Sequence, residues 1–288
     1  MITYRILPLW RSLLFVGADQ IDRIAKISQL GADAVILDLE DAVPATAKAD
    51  ARAGLSALIA QLTDAGQTVV VRINAGWRDA MADLEAAVKP GVTAIMVPGC
   101  EHPARLETLA EIIGEWEVER GLSHASVSLL ALVESAAGLE NLTAIAQASR
   151  VIGLALGTED LALNMAAAPT PALLDLPTRR IALAARARNL MALAVPISIA
   201  AYADADAYRA ACDRARDYGV TGAICIHPAQ VNAANAAFRP NDRELAEARA
   251  ILAAWANRGD RGVVVLGGQM IDLPVVERSR RLIANFEI

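Results

Sequence analysis

The sequence is poor in cysteine: Cys100, Cys212 and Cys225 are the only three, irregularly spaced in 288 residues. That is too few for a disulfide framework or a zinc site, so a reducing compartment is expected. Basic charge is not in excess either, with 27 Lys+Arg against 33 Asp+Glu and a formal charge of −6, which argues against a nucleic-acid binder. Long apolar runs are missing. The apolar stretch 13–18 is too short to span a bilayer and runs into Asp19, while the uncharged stretch 218–238 carries His227, Pro228 and Gln230. No signal peptide is evident, and a soluble, cytoplasmic protein with neither membrane nor nucleic-acid partners is expected. There is also no G-x-G-x-x-G after the first apolar run and no Walker loop, which removes the main support for a nucleotide-binding open sheet.

What is present is alternation. Short runs rich in Val, Ile and Leu stand at 13–16, 34–37, 69–73, 94–97, 128–133, 151–156, 195–199 and 222–226. Between them lie longer segments of helical period, among them 21–30, 48–62, 103–120, 139–148, 178–190 and 204–218. Apolar strands separated by crossover helices mean a parallel sheet, and eight such units predict a closed (β/α)8 barrel over residues 1–238. Residues 239–288 are not needed for closure. They predict a helix over 241–258, opened by Asn and Asp and ended at Gly259, then a short β-like run at 262–266 and a tail. This C-terminal helical extension is expected to cover a face of the barrel or reach a neighbouring subunit.

In a parallel barrel the reactive groups gather where strands end at their carboxyl termini. The second run ends in Asp38-Leu39-Glu40-Asp41, the third in Arg72-Ile73-Asn74, the fifth in Glu134-Ser135, the sixth in Gly157-Thr158-Glu159-Asp160 and the eighth in Ile226-His227-Pro228. Glu134 and Asp160 follow consecutive apolar strands, so their carboxylates should face one another across the mouth. Two such acids need a cation, and Mg²⁺, which is held by one or two carboxylates with water and substrate oxygens, suits them. The alternative is that either acid caps a helix or pairs with an arginine. Arg72 can fork a substrate carboxylate or pair with Glu40 or Asp41, and both can hold together if the acids orient the guanidinium. Asp38 reads as a support for the site rather than a reacting group. His227 reads as the lock of a His-Pro turn, and Cys225 as a small buried group.

Several of these motifs, taken in order, resemble one family. They are Arg11-Ser12-Leu13-Leu14-Phe15-Val16, Gly31-Ala32-Asp33-Ala34-Val35-Ile36-Leu37-Asp38-Leu39-Glu40-Asp41-Ala42-Val43-Pro44, Val71-Arg72-Ile73-Asn74, Glu134-Ser135-Ala136-Ala137-Gly138, Gly157-Thr158-Glu159-Asp160-Leu161 and Ile226-His227-Pro228-Ala229-Gln230-Val231. The chain resembles the citrate lyase β-subunit-like family, together with the malyl-CoA and citramalyl-CoA lyases, over nearly its whole length. The resemblance implies a Mg²⁺-dependent homotrimer or hexamer that makes or breaks a carbon–carbon bond between an acyl-CoA and an α-keto acid. By position it implies Glu134 and Asp160 as metal ligands, Arg72 as a catalytic and substrate-binding residue, and Glu40, Asp41 and Arg11 as further substrate-binding residues. The segment Gly268-Gln269-Met270-Ile271-Asp272-Leu273-Pro274 resembles one that lends an aspartate to the adjacent subunit, which makes Asp272 the acid/base candidate. Two other readings stand beside the lyase: a β-type citryl lyase component acting on an acyl-carrier partner, and a metal-dependent aldolase on free keto acids. The chain departs from the family pattern at Gly17, at Gly99 where a lysine is usual, at Asn164 and across 197–201. Altered substrate or CoA contacts with retained metal binding are therefore expected.

Overall fold

The computed structural model describes residues 10–20, 27–259 and 262–286, which divide in sequence between Phe238 and Arg239 into two compact units. In the first unit the apolar runs form eight parallel strands: β1 (Ser12–Gly17), β2 (Ala34–Asp38), β3 (Thr68–Arg72), β4 (Val92–Val97), β5 (Ser128–Val133), β6 (Val151–Leu156), β7 (Met191–Leu193) and β8 (Ala223–Cys225). They are ordered β7-β6-β5-β4-β3-β2-β1-β8, and a parallel bridge between Leu193 and Gly222 brings the two ends of that order together. The result is the expected eight-stranded barrel. Gly222 is required at the join, because a Cβ there would lie 2.1 Å from the Trp10 carbonyl oxygen.

The strands are apolar on both faces because both faces are covered. Leu13, Ile36, Val70, Met96, Leu130 and Leu193 fill the barrel interior, while Val35, Val71, Ile95, Val97, Leu129 and Val133 pack outward against the helices. The surrounding helices include Lys48–Asp64, Trp77–Ala87, Pro103–Glu119, Pro171–Ala187, Ala205–Asp217 and Pro228–Ala237. Pro103, Pro171 and Pro228 open theirs at the position where a missing N–H costs nothing.

Three elements differ from the sequence expectation. The seventh strand occupies Met191–Leu193 rather than 195–199. Apolar residues run from 190 to 195, and Pro196, which has no N–H for a ladder, stands inside the segment first expected to pair. The helix expected at 139–148 is two short ones, Ala136–Glu140 and Leu142–Ile145, parted at Asn141, whose amide donates to the Glu101 and Ala137 carbonyls. The helix expected from 178 begins at Pro171 and runs through Pro177. Most of the segment expected at 21–30 lies outside the described residues.

In the second unit, Asn241 and Glu244 exchange side-chain and backbone hydrogen bonds in a capping box that starts the helix Asp242–Ala256. The expected β-like run is β9 (Val264–Leu266). It turns through Gly267 and Gly268, both at positive φ, into an antiparallel partner, β10 (Gln269–Ile271). The helix Leu273–Phe286 follows, and Ile251, Trp255, Ile271 and Val276 form this unit's core. No helix of the described residues is long and apolar enough to cross a membrane.

Candidate active site

Strand periodicity builds the site. Side chains two residues apart share a face, so the interior series Ile36, Val70 and Leu132 continues into Asp38, Arg72 and Glu134 at the carboxyl ends of β2, β3 and β5. All three line a cavity of about 840 Å³, together with Asp41, Asp160 and His227. Phe15, Leu132, Ile199 and Ile224, from the interior cluster and its margin, supply apolar wall.

Arg72 is buried and clasped from within. Its Nε and Nη2 donate to the two oxygens of Asp38 at 2.7 and 2.6 Å, its Nη1 lies 3.1 Å from both Glu40 and Asp41, and its guanidinium rests 4.8 Å from the Phe15 ring centroid. Burial works against the charge, but the hydrogen bond and charge of Asp38 outweigh it and hold the guanidinium pKa above its ordinary value. The fork geometry that the sequence offered to a substrate carboxylate is thus taken by Asp38, whose supporting role is visible directly. Asp38 also accepts the backbone N–H groups of Glu40 and Ala42, each at 2.9 Å, which shapes the loop carrying the other two acids.

Glu134 and Asp160 are differently placed. Among the described residues, no side-chain cation pairs with either. Glu134 Oε2 accepts the Gly99 N–H at 2.7 Å, and Gly99 reaches it from a left-handed backbone at φ +57°, so the residue standing where a lysine is usual supplies a backbone donor. Burial pushes the Glu134 carboxyl up to about 7, against the pull of the Gly99 N–H, and the Asp160 charge raises it further. Glu40 is likewise pushed up to about 8 by burial, with Arg72 pulling it down and Asp41, Glu134 and Asp38 pushing it up. Burial is the main reason these two acids hold their protons, and the neighbouring carboxylates add to it more than Arg72 relieves at Glu134. A divalent cation offsets the charge of these carboxylates, and carboxylate oxygens are the donors Mg²⁺ takes. The backbone leaves space for the arrangement: a Cβ at Gly157 would lie 2.5 Å from Glu134 Cγ and 2.6 Å from its Oε1. Among the described residues no group of three or more His, Cys, Asp or Glu could hold an ion, so water and reactant oxygens would have to complete an octahedron.

Arg11 lies apart from the other candidates. It precedes β1 at the amino end, where its backbone N, Nε and Nη2 donate to Asp33 at 2.7, 2.8 and 2.6 Å. A strand of this length separates it from the mouth by ~20 Å at about 3.3 Å per residue, so it ties the amino ends of β1 and β2 together, away from the cavity. Asp272 belongs to the second unit, where its Oδ1 accepts the Val275 N–H at 3.3 Å beside the start of the last helix.

Other supporting residues were not singled out by sequence. Lys48 Nζ donates to the Leu39 and Glu40 carbonyls and to Asn74 Oδ1 at 2.8, 2.9 and 2.6 Å, and buried Asp83 accepts from Asn74 N and Nδ2, each at 2.7 Å. The available signal was a lysine in the first turn of a helix, where the macrodipole disfavours a cation unless something else holds it. Asn164 accepts the Ala136 N–H at 3.0 Å, and Ser198 donates to Glu159 at 2.7 Å, which gives two of the departures from the family pattern local partners.

Comparison with known proteins gives the same outline. A family model described as HpcH/HpaI aldolase/citrate lyase matches residues 11–228. A citrate lyase subunit beta-like protein of Deinococcus radiodurans is 34% identical over 286 residues, covering 96% of this chain and 97% of that protein. A (3S)-malyl-CoA thioesterase of Cereibacter sphaeroides is 32% identical over 285 residues, covering 96% and 95%. Among solved structures, Mycobacterium tuberculosis CitE in complex with magnesium, acetoacetate and coenzyme A superposes with a TM-score of 0.72 at 32% identity, over 95% of this chain and 97% of that one. The citrate lyase beta subunit of M. tuberculosis complexed with oxaloacetate and magnesium gives 0.64 at 32% identity, over 81% and 98%. The barrel, its acidic mouth and these matches converge, and the chain belongs to the HpcH/HpaI aldolase/citrate lyase family.

Proposed function

We propose that the chain is a Mg²⁺-dependent carbon–carbon lyase acting on a short 3-hydroxy-dicarboxyl CoA thioester of the malyl-CoA or citramalyl-CoA class, which it splits into an acyl-CoA and an α-keto acid or forms from them. The observation that carries the reading is the pair Glu134 and Asp160, lining one cavity and, among the described residues, in no ion pair with a side-chain cation. The magnesium, acetoacetate and coenzyme A held by M. tuberculosis CitE, and the oxaloacetate and magnesium held by the citrate lyase beta subunit of that organism, support it.

Glu134 and Asp160 would hold the ion, with Gly99 fixing the Glu134 rotamer through its N–H. Bound there, Mg²⁺ supplies Lewis-acid polarisation of the reactant's hydroxyl and carboxylate oxygens. Arg72, kept charged by Asp38, places positive potential where negative charge develops on the departing keto acid. Asp272 of a neighbouring subunit in a homotrimer or hexamer delivers a proton to the carbon released by bond cleavage while the hydroxyl proton lost as the keto group forms passes to solvent water, and both transfers reverse in condensation.

Purified protein is assayed with malyl-CoA and citramalyl-CoA, with Mg²⁺ and with EDTA, following keto acid and free thiol separately. The reading expects metal-dependent keto acid without free thiol. Free CoA released without a keto acid would assign hydrolysis instead, the activity for which the C. sphaeroides relative is named. Mixing Glu134→Ala and Asp272→Ala protomers tests the shared site: activity regained in the mixture supports it, a mixture as inactive as its parts overturns sharing between subunits, and full activity of Asp272→Ala alone removes Asp272 from the mechanism.

A further inference from the structure

His227 is the cavity-lining group that the reading above leaves without a task. It follows β8, and its Nδ1 accepts the Ala229 N–H at 3.2 Å, capping the helix Pro228–Ala237. Because that nitrogen is the acceptor, the hydrogen of the neutral ring sits on Nε2, on the ring edge away from the cap. The ring is exposed at the cavity rim and braced on one face, and the turn beneath it is tied down. It stacks on Tyr202 with centroids 4.8 Å apart and planes at 24°, while Gln230 Oε1 accepts the Ile226 and His227 N–H groups at 2.8 and 3.2 Å. Gln230 Nε2 in turn donates to the Ile199 carbonyl at 2.7 Å, joining this turn to the cavity wall.

The other lining donors are largely engaged. Arg72 is committed to Asp38 and faces Glu40 and Asp41, and Thr158 Oγ1 donates to Glu159 at 3.3 Å. Gln20 also lines the cavity, but nothing among the described residues fixes its amide. A braced donor whose tautomer is set from behind is suited to an oxygen that gains charge during reaction, since it needs no reorganisation as that charge develops.

We infer that His227 contacts the substrate, donating its Nε2–H to the thioester carbonyl oxygen that carries the negative charge of the acyl-CoA enolate; the identity of that oxygen rests on the lyase reading above. The hydrogen stays on Nε2, so the contact lowers the energy of the enolate without any transfer of a proton.

Two substitutions separate this role from helix capping. In His227→Asn the amide oxygen overlays Nδ1, so the cap is kept and the distal donor lost; in His227→Gln the amide nitrogen overlays Nε2, so the donor is kept and the cap lost. The inference expects His227→Asn to melt like the wild type with kcat lowered roughly 100-fold, and His227→Gln to melt earlier with most of its kcat retained. Full kcat in His227→Asn overturns it. Nitrogen-15 NMR of the imidazoles gives a readout independent of turnover, because the chain has only 3 histidines. The expected spectrum shows His227 as the neutral Nε2–H tautomer, with its Nε2 resonance shifted when acetyl-CoA and Mg²⁺ are added. A neutral Nδ1–H tautomer, or no response to acetyl-CoA, overturns the inference. A wild type that makes no keto acid while its Nε2 still responds would sink the lyase reading and leave the donor standing.

Discussion

The two ends of the barrel both carry a buried arginine–carboxylate cluster, and the two are built on opposite terms. At the amino end, Arg150 stands before β6 and pairs one-to-one with Glu117, through Nη1 to Oε1 at 2.9 Å and Nη2 to Oε2 at 2.8 Å. The remaining acceptor capacity of Glu117 is filled by Ala125 N, Ser126 Oγ and Val127 N. Burial would raise its pKa, but Arg150 and the two backbone N–H groups together hold it below the ordinary carboxylate value. At the mouth, Arg72 meets Asp38, Glu40 and Asp41 at once, with Glu134 and Asp160 in the same cavity, and there burial and like charge prevail. A balanced, fully bonded cluster serves the fold. An unbalanced one stores a demand for positive charge that a ligand can meet.

The sharpest way to break this contrast is at the mouth. Glu134→Gln or Asp160→Asn should lower lyase turnover by roughly four orders of magnitude, about 5.5 kcal/mol of barrier, while the melting temperature holds or rises because a like charge is gone. Keto acid release and calorimetry on the same preparations check this, and turnover within tenfold of the wild type would end the metal-site reading. At the other end the effects should be reversed. Glu117→Ala leaves Arg150 buried without its acid and should cost about 3 kcal/mol or more of stability, read from the urea midpoint, while the folded fraction keeps its turnover. A large loss of kcat with unchanged stability would erase the distinction between the ends.

The pH response should separate them with opposite signs. Glu117, with a lowered folded pKa, contributes stability above its unfolded value of about 4.3 that is lost as pH falls through the folded value. Glu134, raised to about 7, binds more protons folded than unfolded between those limits, so metal-free protein should lose stability as pH rises from about 5 to 7. Melting curves across pH check both: Glu134→Gln should flatten the upper slope and Glu117→Ala the acid one. The smallest effect belongs to Arg11. Its pair with Asp33 is part-exposed, so Arg11→Ala should cost about 1 kcal/mol and leave kcat and KM for the thioester unchanged. A raised KM there would restore it to the substrate set.

The barrel was legible because its strands are buried on both faces and so read as uninterrupted apolar runs, and because acids and an arginine follow those runs at the inward register. The seventh strand was misplaced for that same reason: apolar residues extend from 190 to 195, and composition does not say which of them pair. The cavity-lining carboxylates could be named from position, since Glu134 follows Leu132 by two. Their partners could not. That Asp38 takes both edges of the Arg72 fork depends on rotamers, and that Gly99 donates to Glu134 depends on a backbone at positive φ, neither of which composition encodes. The place of Arg11 at the amino end of β1 was not legible either, because a motif records neighbours in sequence and is silent about which end of a strand a residue occupies.

The seam has a consequence of its own. β7 and β8 are the shortest staves, and they meet only around residues 192–194 and 221–222, with Ala194 N reaching Gly222 O and Gly222 N reaching Ala192 O. Deuterium should therefore enter the barrel's backbone amides here first, ahead of the longer ladders between β2 and β5.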